Sequence, residues 1–298
     1  MTEHVLTIDC GAVRRAVEDG SRFLLSRQDR DGAWRDFSLP GVGSSDEWIT
    51  AYTGFALARA VDEYSGSATE RARLYLAATR KADGWGYSAR AGADADSTAW
   101  ALRLLAPSDG WRRLLRYLDN GGRARTYVRR PYGAWVDSHA DVTPVVGLAL
   151  LATRAPPWII ARVRAACLDA QSADGGWSAF WWRANGYAVA RNLEFLVAAG
   201  GLGPALRGAR GWLLGAAAPR STFEAANLVE ARILAGIPTA DLVDQLLAGQ
   251  QPGGGWSSSR ELVLHPNRTS WAGEPYADHR RIHSTAAALL ALSRLPGR

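Results

Sequence analysis

The chain has 298 residues, of which 47% are hydrophobic and 21% are charged, a balance that excludes an intrinsically disordered protein. Its formal net charge is +6, but no basic run is interleaved with aromatic residues and no zinc-finger or helix-turn-helix pattern appears, so we expect no nucleic-acid partner. Two cysteines are too few for a disulfide framework, and neither a secretory signal nor a membrane-spanning apolar run is evident. We therefore expect a soluble, cytoplasmic protein.

Helical segments of two kinds alternate along the chain. In chain order, the more polar segments occupy residues 13–25, 72–79, 158–170 and 240–247. The more apolar segments occupy residues 49–61, 98–105, 143–152, 187–198, 223–234 and 284–292. Apolar residues lie on nearly all sides of the second kind, as is typical of fully buried helices. No alternating strand pattern of useful length appears.

A short motif stands between a polar segment and the apolar segment that follows it: Gln, a Gly four residues later and a Trp two residues after that. Full copies are Gln28–Gly32–Trp34, Gln171–Gly175–Trp177 and Gln250–Gly254–Trp256. Degenerate copies end at Trp85 and Trp135, and a position near Pro219 lacks the motif. The repeat of about 40–50 residues indicates stacked helix pairs.

Each part of the motif has a structural interpretation. We expect Gly to end the outer helix with a positive φ, Gln to bond backbone groups left free at a helix start, and Trp to cover the junction as a structural staple. Six pairs predict an all-α, (α/α)6 toroid, in which an inner ring of six helices lies within an outer ring of six. We expect one such domain over residues 1–298.

The motif closely resembles the Gln–Trp repeat of squalene-hopene cyclases and related class II terpene cyclases. The resemblance covers nearly the whole chain, from about Gln28 to Leu295. The β subunits of protein prenyltransferases share the same toroid, so the resemblance supports the fold better than the reaction.

One segment, Asp94-Ala-Asp96-Ser97-Thr98-Ala99, resembles the Asp-X-Asp-Asp-Thr-Ala box of class II terpene cyclases. The second Asp of that box protonates an alkene or epoxide, so the resemblance implies that Asp96 is the acid. Asp94 would raise its proton affinity or fix its geometry, because two close carboxyls resist joint ionisation. Ser97 stands where the family has Asp, and its hydroxyl can hydrogen-bond Asp96.

Helix capping is the alternative explanation of these carboxyls. Asp-x-Thr recurs as Asp141-Val-Thr143, His283-Ser-Thr285 occupies an equivalent place, and Asp is a good N-cap residue. A cap alone would explain Asp96 and Asp141, whereas it does not need Asp94.

A carbocation formed inside the ring requires stabilisation by aromatic faces. Aromatic residues at or before the inner helices are candidate cavity walls: Trp48, Tyr52, Trp100, Trp181, Trp182 and Tyr187. Ordinary packing between helices is the alternative for each of them.

The last repeat carries a long, charged insertion between Trp256 and His283. Long loops in compact domains often bind ligands, so Arg280 and Arg281 are candidates for contact with a diphosphate. His283 is a candidate for holding a head group or taking the final proton, and Asp141 is a further substrate-binding candidate. A solvated surface loop is the alternative.

These features predict a cyclase that protonates a linear isoprenoid and needs no metal or other cofactor, with Mg²⁺ expected only for a diphosphate substrate. Related triterpene cyclases use two toroids, so a homodimer or a second toroid chain is an expected partner, as is peripheral membrane contact. A non-catalytic toroid that binds an apolar ligand is the main alternative.

Two other enzyme classes stay open at this point. A zinc prenyltransferase is favoured by the segment around His283, but the segment around Tyr187 lacks the Cys that such a site needs. The other class is acid–base chemistry on a small polar substrate, for which the titratable candidates are Asp137, His139, Asp141 and His283.

Overall fold

The computed structural model describes residues 8–60, 65–128, 133–265 and 275–295. Within these ranges the helices are α1 (Cys10–Arg27), α2 (Glu47–Ala60), α3 (Ser65–Thr79), α4 (Ala95–Leu105), α5 (Trp111–Leu114), α6 (Thr143–Ala152), α7 (Pro157–Asp169), α8 (Gly186–Ala198), α9 (Ala205–Gly215), α10 (Thr222–Ala235), α11 (Ala240–Ala248) and α12 (Ile282–Leu292). The strands are β1 (Asp36–Leu39), β2 (Gly43–Ser45), β3 (Arg260–Leu262) and β4 (Tyr276–Ala277).

The even-numbered helices form a closed inner ring. Each contacts the next in order, and α12 returns to contact α2. The odd-numbered helices are more exposed and lie outside, where α1 contacts both α3 and α11. Over the described part of the chain, the predicted toroid of six inner and six outer helices is therefore confirmed. No helix in that part is both long and apolar enough to cross a membrane.

The motif tryptophans join each turn to the outer helix before it. The indole Nε1 of Trp34 donates to the Leu24 carbonyl over 2.8 Å, and that of Trp256 donates to the Leu246 carbonyl over 2.7 Å. Trp85 and Trp177 make the same bond, and all four side chains are at most 2% exposed. The prediction that these residues are structural staples is confirmed.

The motif glutamines join each turn to the next outer helix. Gln28 Nε2 donates to the Gly32 carbonyl of its own turn and to the Ala68 carbonyl of α3, each over 2.9 Å. Gln250 does the same across the chain ends, since it donates to the Ala16 carbonyl of α1. This last bond closes the outer ring between the sixth repeat and the first.

The motif glycine lies in the turn after the outer helix, so the prediction that it ends the helix is wrong by a few residues. Helix α1 ends at Arg27, whereas Gly32 follows in the turn with a φ of +90°. The expected positive φ is correct. A Cβ on Gly175 would lie 2.2 Å from the Gly208 carbonyl oxygen of α9, so glycine also permits close approach of the next outer helix.

The copy assigned to Trp135 is wrong. The motif position of the third repeat is Ala124, whose N–H donates to Thr143 Oγ1 as that of Trp34 donates to Thr50 Oγ1. Trp135 lies later, in a 3₁₀ turn, and its Nε1 donates to the His265 carbonyl. The assignment from spacing alone was wrong because the long connection between α5 and α6 contains two glycine turns.

Two short hairpins, which the sequence pattern did not predict, lie near the ends of the inner helices. Strand β1 pairs with β2, and β3 pairs with β4. Strand β3 also continues beside the segment before α8: Val263 N–H donates to the Trp181 carbonyl over 2.9 Å. The long insertion of the last repeat thereby reaches across to the fourth repeat, although its residues 266–274 lie outside the described part of the chain.

Candidate active site

A pocket that is partly open to solvent lies where α2, α4, α6 and α8 begin. Its aromatic lining residues are Trp48, Tyr87, Tyr127, Trp181, Trp182 and Tyr187. The other lining residues are Asp94, Asp96, Ser97, Thr126, Asp141, Val142 and Leu262. An aromatic wall around three carboxyls fits cation chemistry better than a small polar substrate.

Asp94 is the N-cap of α4, which corrects the expectation that Asp96 would be the cap. Its Oδ1 accepts from Ser97 N–H over 2.8 Å, and its Oδ2 accepts from Ser97 Oγ over 2.7 Å. The Ser97 hydroxyl therefore binds Asp94, where a bond to Asp96 was expected. Burial raises the pKa of Asp94 to about 6, so the carboxyl is mainly ionised at neutral pH.

Asp96 lies in the first turn of α4 and is half-buried. Its Oδ2 accepts from Trp48 Nε1 over 2.9 Å, whereas its buried Oδ1 has no hydrogen-bond partner. Burial raises the pKa of Asp96 well above its ordinary value, and the negative charges of Asp94 and Asp141 raise it further. Both effects favour the protonated form of this carboxyl.

Asp141 precedes α6 but does not cap it, so the capping explanation fails here too. Its Oδ2 accepts from the N–H groups of Phe180 and Trp181, each over 2.9 Å, while its buried Oδ1 has no partner. Burial raises the pKa of Asp141 to about 6, and the two N–H donors oppose that rise. The recurrence of Asp-x-Thr is explained by its Thr, since Thr143 accepts the N–H of Ala124.

The predicted aromatic residues form two layers. Trp48, Trp181, Trp182 and Tyr187 line the pocket, and the Trp182 ring centre is 5.9 Å from that of Trp48. Tyr52 and Trp100 do not line it: they lie one helical turn deeper, with ring centres 4.6 Å apart. Their assignment as pocket walls is wrong, although Trp100 Nε1 supports the wall by donating to Tyr187 Oη over 3.3 Å.

His283 does not line the pocket either, which corrects its assignment as a substrate-binding residue. Its ring is fully enclosed and stacks on Trp182 with ring centres 5.1 Å apart. Burial lowers the pKa of His283 to about 3, so the imidazole is neutral. It is too enclosed to hold a head group.

Arg280 and Arg281 lie away from the pocket, so the structure does not support their contact with a diphosphate there. The Arg280 guanidinium donates to the Arg27 and Arg35 carbonyls and faces Asp29. Arg281 lies over the Phe23 ring, 4.9 Å from its centre. Both side chains contact the end of α1 because the turn before α12 packs there.

Five lining residues were not predicted from the sequence: Tyr87, Thr126, Tyr127, Val142 and Leu262. Tyr87 and Thr126 each lie two residues after the last motif position of their repeat, at Trp85 and Ala124. Aligning the repeats on that position would have found both. Leu262 reaches the pocket through the pairing of β3, for which the sequence held no signal.

The zinc alternative has no ligand set within the described residues, where no three His, Cys, Asp or Glu side chains cluster suitably for a metal. The Arg281–Thr285 segment resembles the helix start of the prenyltransferases, but the ring of its His283 is enclosed and stacks on Trp182.

No model of a known protein family matches the chain. The type II terpene cyclase MstE from Scytonema superposes with a TM-score of 0.85 at 24% identity, covering 96% of this chain and 98% of that one. The chain has the fold of the type II terpene cyclases. The predicted resemblance is thus confirmed for the fold.

Two further proteins are similar to the chain. A protein from Actinoplanes of known crystal structure is 30% identical, with a TM-score of 0.81 and coverage of 94% of this chain and 98% of that one. The drimenyl diphosphate synthase of Streptomyces showdoensis is 31% identical over 158 residues, which are 48% of this chain. The matched region is only 30% of that synthase, so the chain covers under a third of it.

Proposed function

We propose that the chain is a class II terpene cyclase that protonates an alkene of a linear isoprenoid from Asp96 and cyclises it through carbocations. The observation that carries the proposal is the buried, partnerless Oδ1 of Asp96 on the wall of an aromatic pocket. An alkene is a very weak base, so its acid must be protonated and kept from water. The burial of the Asp96 Oδ1 and the anionic neighbours of this carboxyl favour both conditions.

The residues around Asp96 assist the proton transfer in different ways. Asp94, held by Ser97, supplies a fixed negative charge that keeps the proton on Asp96 before substrate arrives. Trp48 donates to the oxygen that gains charge when the proton leaves, so this bond strengthens during the transfer. Asp94 and Ser97 are thus positioning residues, and Asp96 is the catalytic acid.

The aromatic wall would stabilise the cations that follow. The faces of Trp48, Trp181, Trp182 and Tyr187 border the pocket, and each desolvated cation–π contact contributes about 1–2 kcal/mol. None of these groups is a strong nucleophile, so the cation survives long enough to form rings.

The substrate class follows from the lining. Among the described residues the pocket carries no Arg, Lys or His, and its carboxyls would repel a diphosphate. The hydrocarbon end of an isoprenoid therefore enters, and the head group stays towards the open side. MstE, which binds geranylgeranyl dihydroxybenzoate as substrate, and the drimenyl diphosphate synthase both support a prenyl chain. The protonation needs no metal; Mg²⁺ would serve only a diphosphate head group.

The test is incubation of the wild type and Asp96→Asn with farnesyl diphosphate, geranylgeranyl diphosphate and geranylgeranyl dihydroxybenzoate in ²H₂O. We expect the wild type to release a cyclic product that carries one added deuterium, and Asp96→Asn to release none. Native mass spectrometry checks that the variant still binds the substrate. A wild type that binds these chains without converting any would favour the non-catalytic alternative, and an active Asp96→Asn would remove Asp96 as the acid.

A further inference from the structure

Two residues that line the pocket each have one buried carboxyl oxygen without a hydrogen-bond partner among the described residues: Oδ1 of Asp96 and Oδ1 of Asp141. The proposed function uses only the first. We propose that Asp141 is the catalytic base that ends the cyclisation by taking a proton from the last carbocation through Oδ1. This inference rests on the proposed function and adds the residue that selects the product alkene.

The Asp141 carboxyl is held in one orientation. Its Oδ2 is fixed by the two N–H groups of Phe180 and Trp181, and the residue is 1% exposed. The Phe180 ring is itself stacked between His139 and His265, with ring centres at 3.7 and 4.1 Å. Because Oδ2 is occupied, Oδ1 is the oxygen left for a ligand, and a base fixed this way can select one hydrogen.

The two free carboxyl oxygens differ in protonation. Burial and anionic neighbours keep the pKa of Asp96 well above its ordinary value, whereas two N–H donors hold that of Asp141 to about 6. The protonated form of Asp96 is therefore favoured, whereas Asp141 is mainly a carboxylate at neutral pH. Carboxyls whose pKa values are pushed apart in this way are the usual mark of an acid and base pair.

Other groups near the pocket are less suited to the role. Asp94 uses both oxygens to accept from Ser97. His283 is enclosed by aromatic rings and does not border the pocket. The remaining polar side-chain groups that line the pocket are hydroxyls and indole N–H groups among the described residues, and both are much weaker bases than a carboxylate.

The proton and electron balance closes without a co-reactant. The O–H bond of Asp96 breaks, and the π electrons of the terminal alkene form a new C–H bond. Each ring closure uses the π pair of the next alkene and moves the positive charge along the chain. Asp141 Oδ1 then bonds a hydrogen on a carbon beside the last cation, and the electrons of that C–H bond become the new C=C. Proton exchange with water restores both carboxyls, so the product is an isomer of the substrate.

The test is product analysis for Asp141→Asn with the substrate that the wild type converts. The amide keeps an oxygen that can accept from Phe180 and Trp181, but its NH₂ cannot take a proton. We expect substrate to be consumed, with kcat lowered about 10²-fold, as for the loss of a general base. The single alkene should give way to mixed alkene isomers and to alcohols from water capture.

The matched control is Asp278→Asn. Asp278 is also a buried carboxyl that accepts from backbone N–H groups, those of Ser259 and Ser284, but it lies outside the pocket. Its two oxygens accept from different N–H groups, so the amide leaves one N–H without a partner and lowers stability, but the variant should keep the wild-type product. Circular dichroism checks the fold of both variants.

If Asp141→Asn does not fold, Asp141→Glu replaces it, because its carboxylate is displaced by one methylene and should yield a different dominant alkene. The wild-type product at the wild-type rate, from whichever variant folds, overturns the base assignment while leaving the proposed function intact. Failure of the proposed function is seen separately, as an Asp96→Asn variant that stays active or a wild type that converts none of the substrates; the second result removes the base assignment as well.

Discussion

Trp48 donates its indole N–H to Oδ2 of Asp96 over 2.9 Å and thereby joins the first turns of two neighbouring inner helices. Trp48 is the second residue of α2, and Asp96 is the second residue of α4. Two positions after each of them lies the Thr that accepts the backbone N–H of the motif Trp. The position two residues before the equivalent Thr is Asp141 in the third repeat and His283 in the sixth. One repeated position thus supplies the donor, the acid and the inferred base.

Replacing Trp48 by Phe should slow the chemical step. The N–H stabilises the carboxylate that Asp96 becomes as it protonates the alkene, and a hydrogen bond to a charged group contributes about 1.5–3 kcal/mol. We therefore expect kcat to fall by about 10- to 100-fold, with little change in KM. Single-turnover kinetics on the wild-type substrate measures this.

Trp182→Phe is the matched control for that variant. It shrinks a neighbouring pocket ring by the same amount but removes no bond to Asp96. Equal losses of kcat in the two variants would mean that ring size, and not the N–H, is responsible.

Replacing Asp94 by Asn should shift the pH profile while keeping the helix cap. Asn caps helices about as well as Asp, so α4 stays in place. Removing the negative charge lowers the pKa of Asp96, because that charge raises it in the wild type. The alkaline limb of the activity profile should therefore move to lower pH. An unchanged limb, with normal stability, would mean that burial and the charge of Asp141 keep Asp96 protonated without Asp94.

Much of the ring could be predicted because its signals are local. A Gln, a Gly and a Trp at fixed spacing indicate one turn, and the recurrence of this pattern predicts the whole toroid. The acid box was visible for the same reason, since Asp94 and Asp96 lie in one turn. The wrong copy at Trp135 shows the limit of prediction from spacing. Spacing identifies a turn, but it cannot tell which of two turns contacts the next repeat.

Depth along an inner helix could not be predicted. Tyr52 follows Trp48 by four residues and Trp100 follows Asp96 by four, so each lies on the same helix face as its predecessor but one turn deeper. Periodicity gives the face, whereas the floor of the pocket is set by how side chains from all neighbouring helices fill the ring. Arg280 and Arg281 were misplaced because long-range packing against α1 decides where that loop runs.

Replacing Thr98 by Val should destabilise the fold through one backbone group. Thr98 Oγ1 accepts the Trp85 N–H over 3.0 Å and donates to the Trp85 carbonyl over 3.1 Å. Valine has nearly the same shape but leaves that buried N–H without a partner, which costs about 1–3 kcal/mol in the free energy of unfolding. Denaturant titration monitored by tryptophan fluorescence measures the change.

Thr53→Val is the matched control, since the Thr53 hydroxyl is buried without a hydrogen-bond partner among the described residues. Its loss should leave stability unchanged or slightly raised. A Thr98→Val protein as stable as Thr53→Val would contradict the structural role given to the repeated threonine.

Replacing His283 by Phe should change how stability depends on pH. Burial lowers the pKa of His283 to about 3 from its ordinary value of 6.5, so between these pH values the unfolded chain binds a proton that the folded chain does not. The wild type therefore loses stability from this group as pH falls below 6.5. Asp94 and Asp141 act in the opposite direction, because their raised pKa values make the folded chain bind protons first as pH falls below about 6.

Comparing the wild type with His283→Phe isolates the effect of the histidine on stability, since the carboxyls are common to both proteins. Phe fits among the rings of Tyr52, Trp182 and Phe223 and removes the partnerless Nε2. The variant should gain stability relative to the wild type by about 1 kcal/mol for each pH unit as the pH falls from 6.5 towards 4.5. Thermal unfolding in a pH series measures the difference, and parallel stability curves would show that His283 takes up a proton as readily in the folded chain as in the unfolded one.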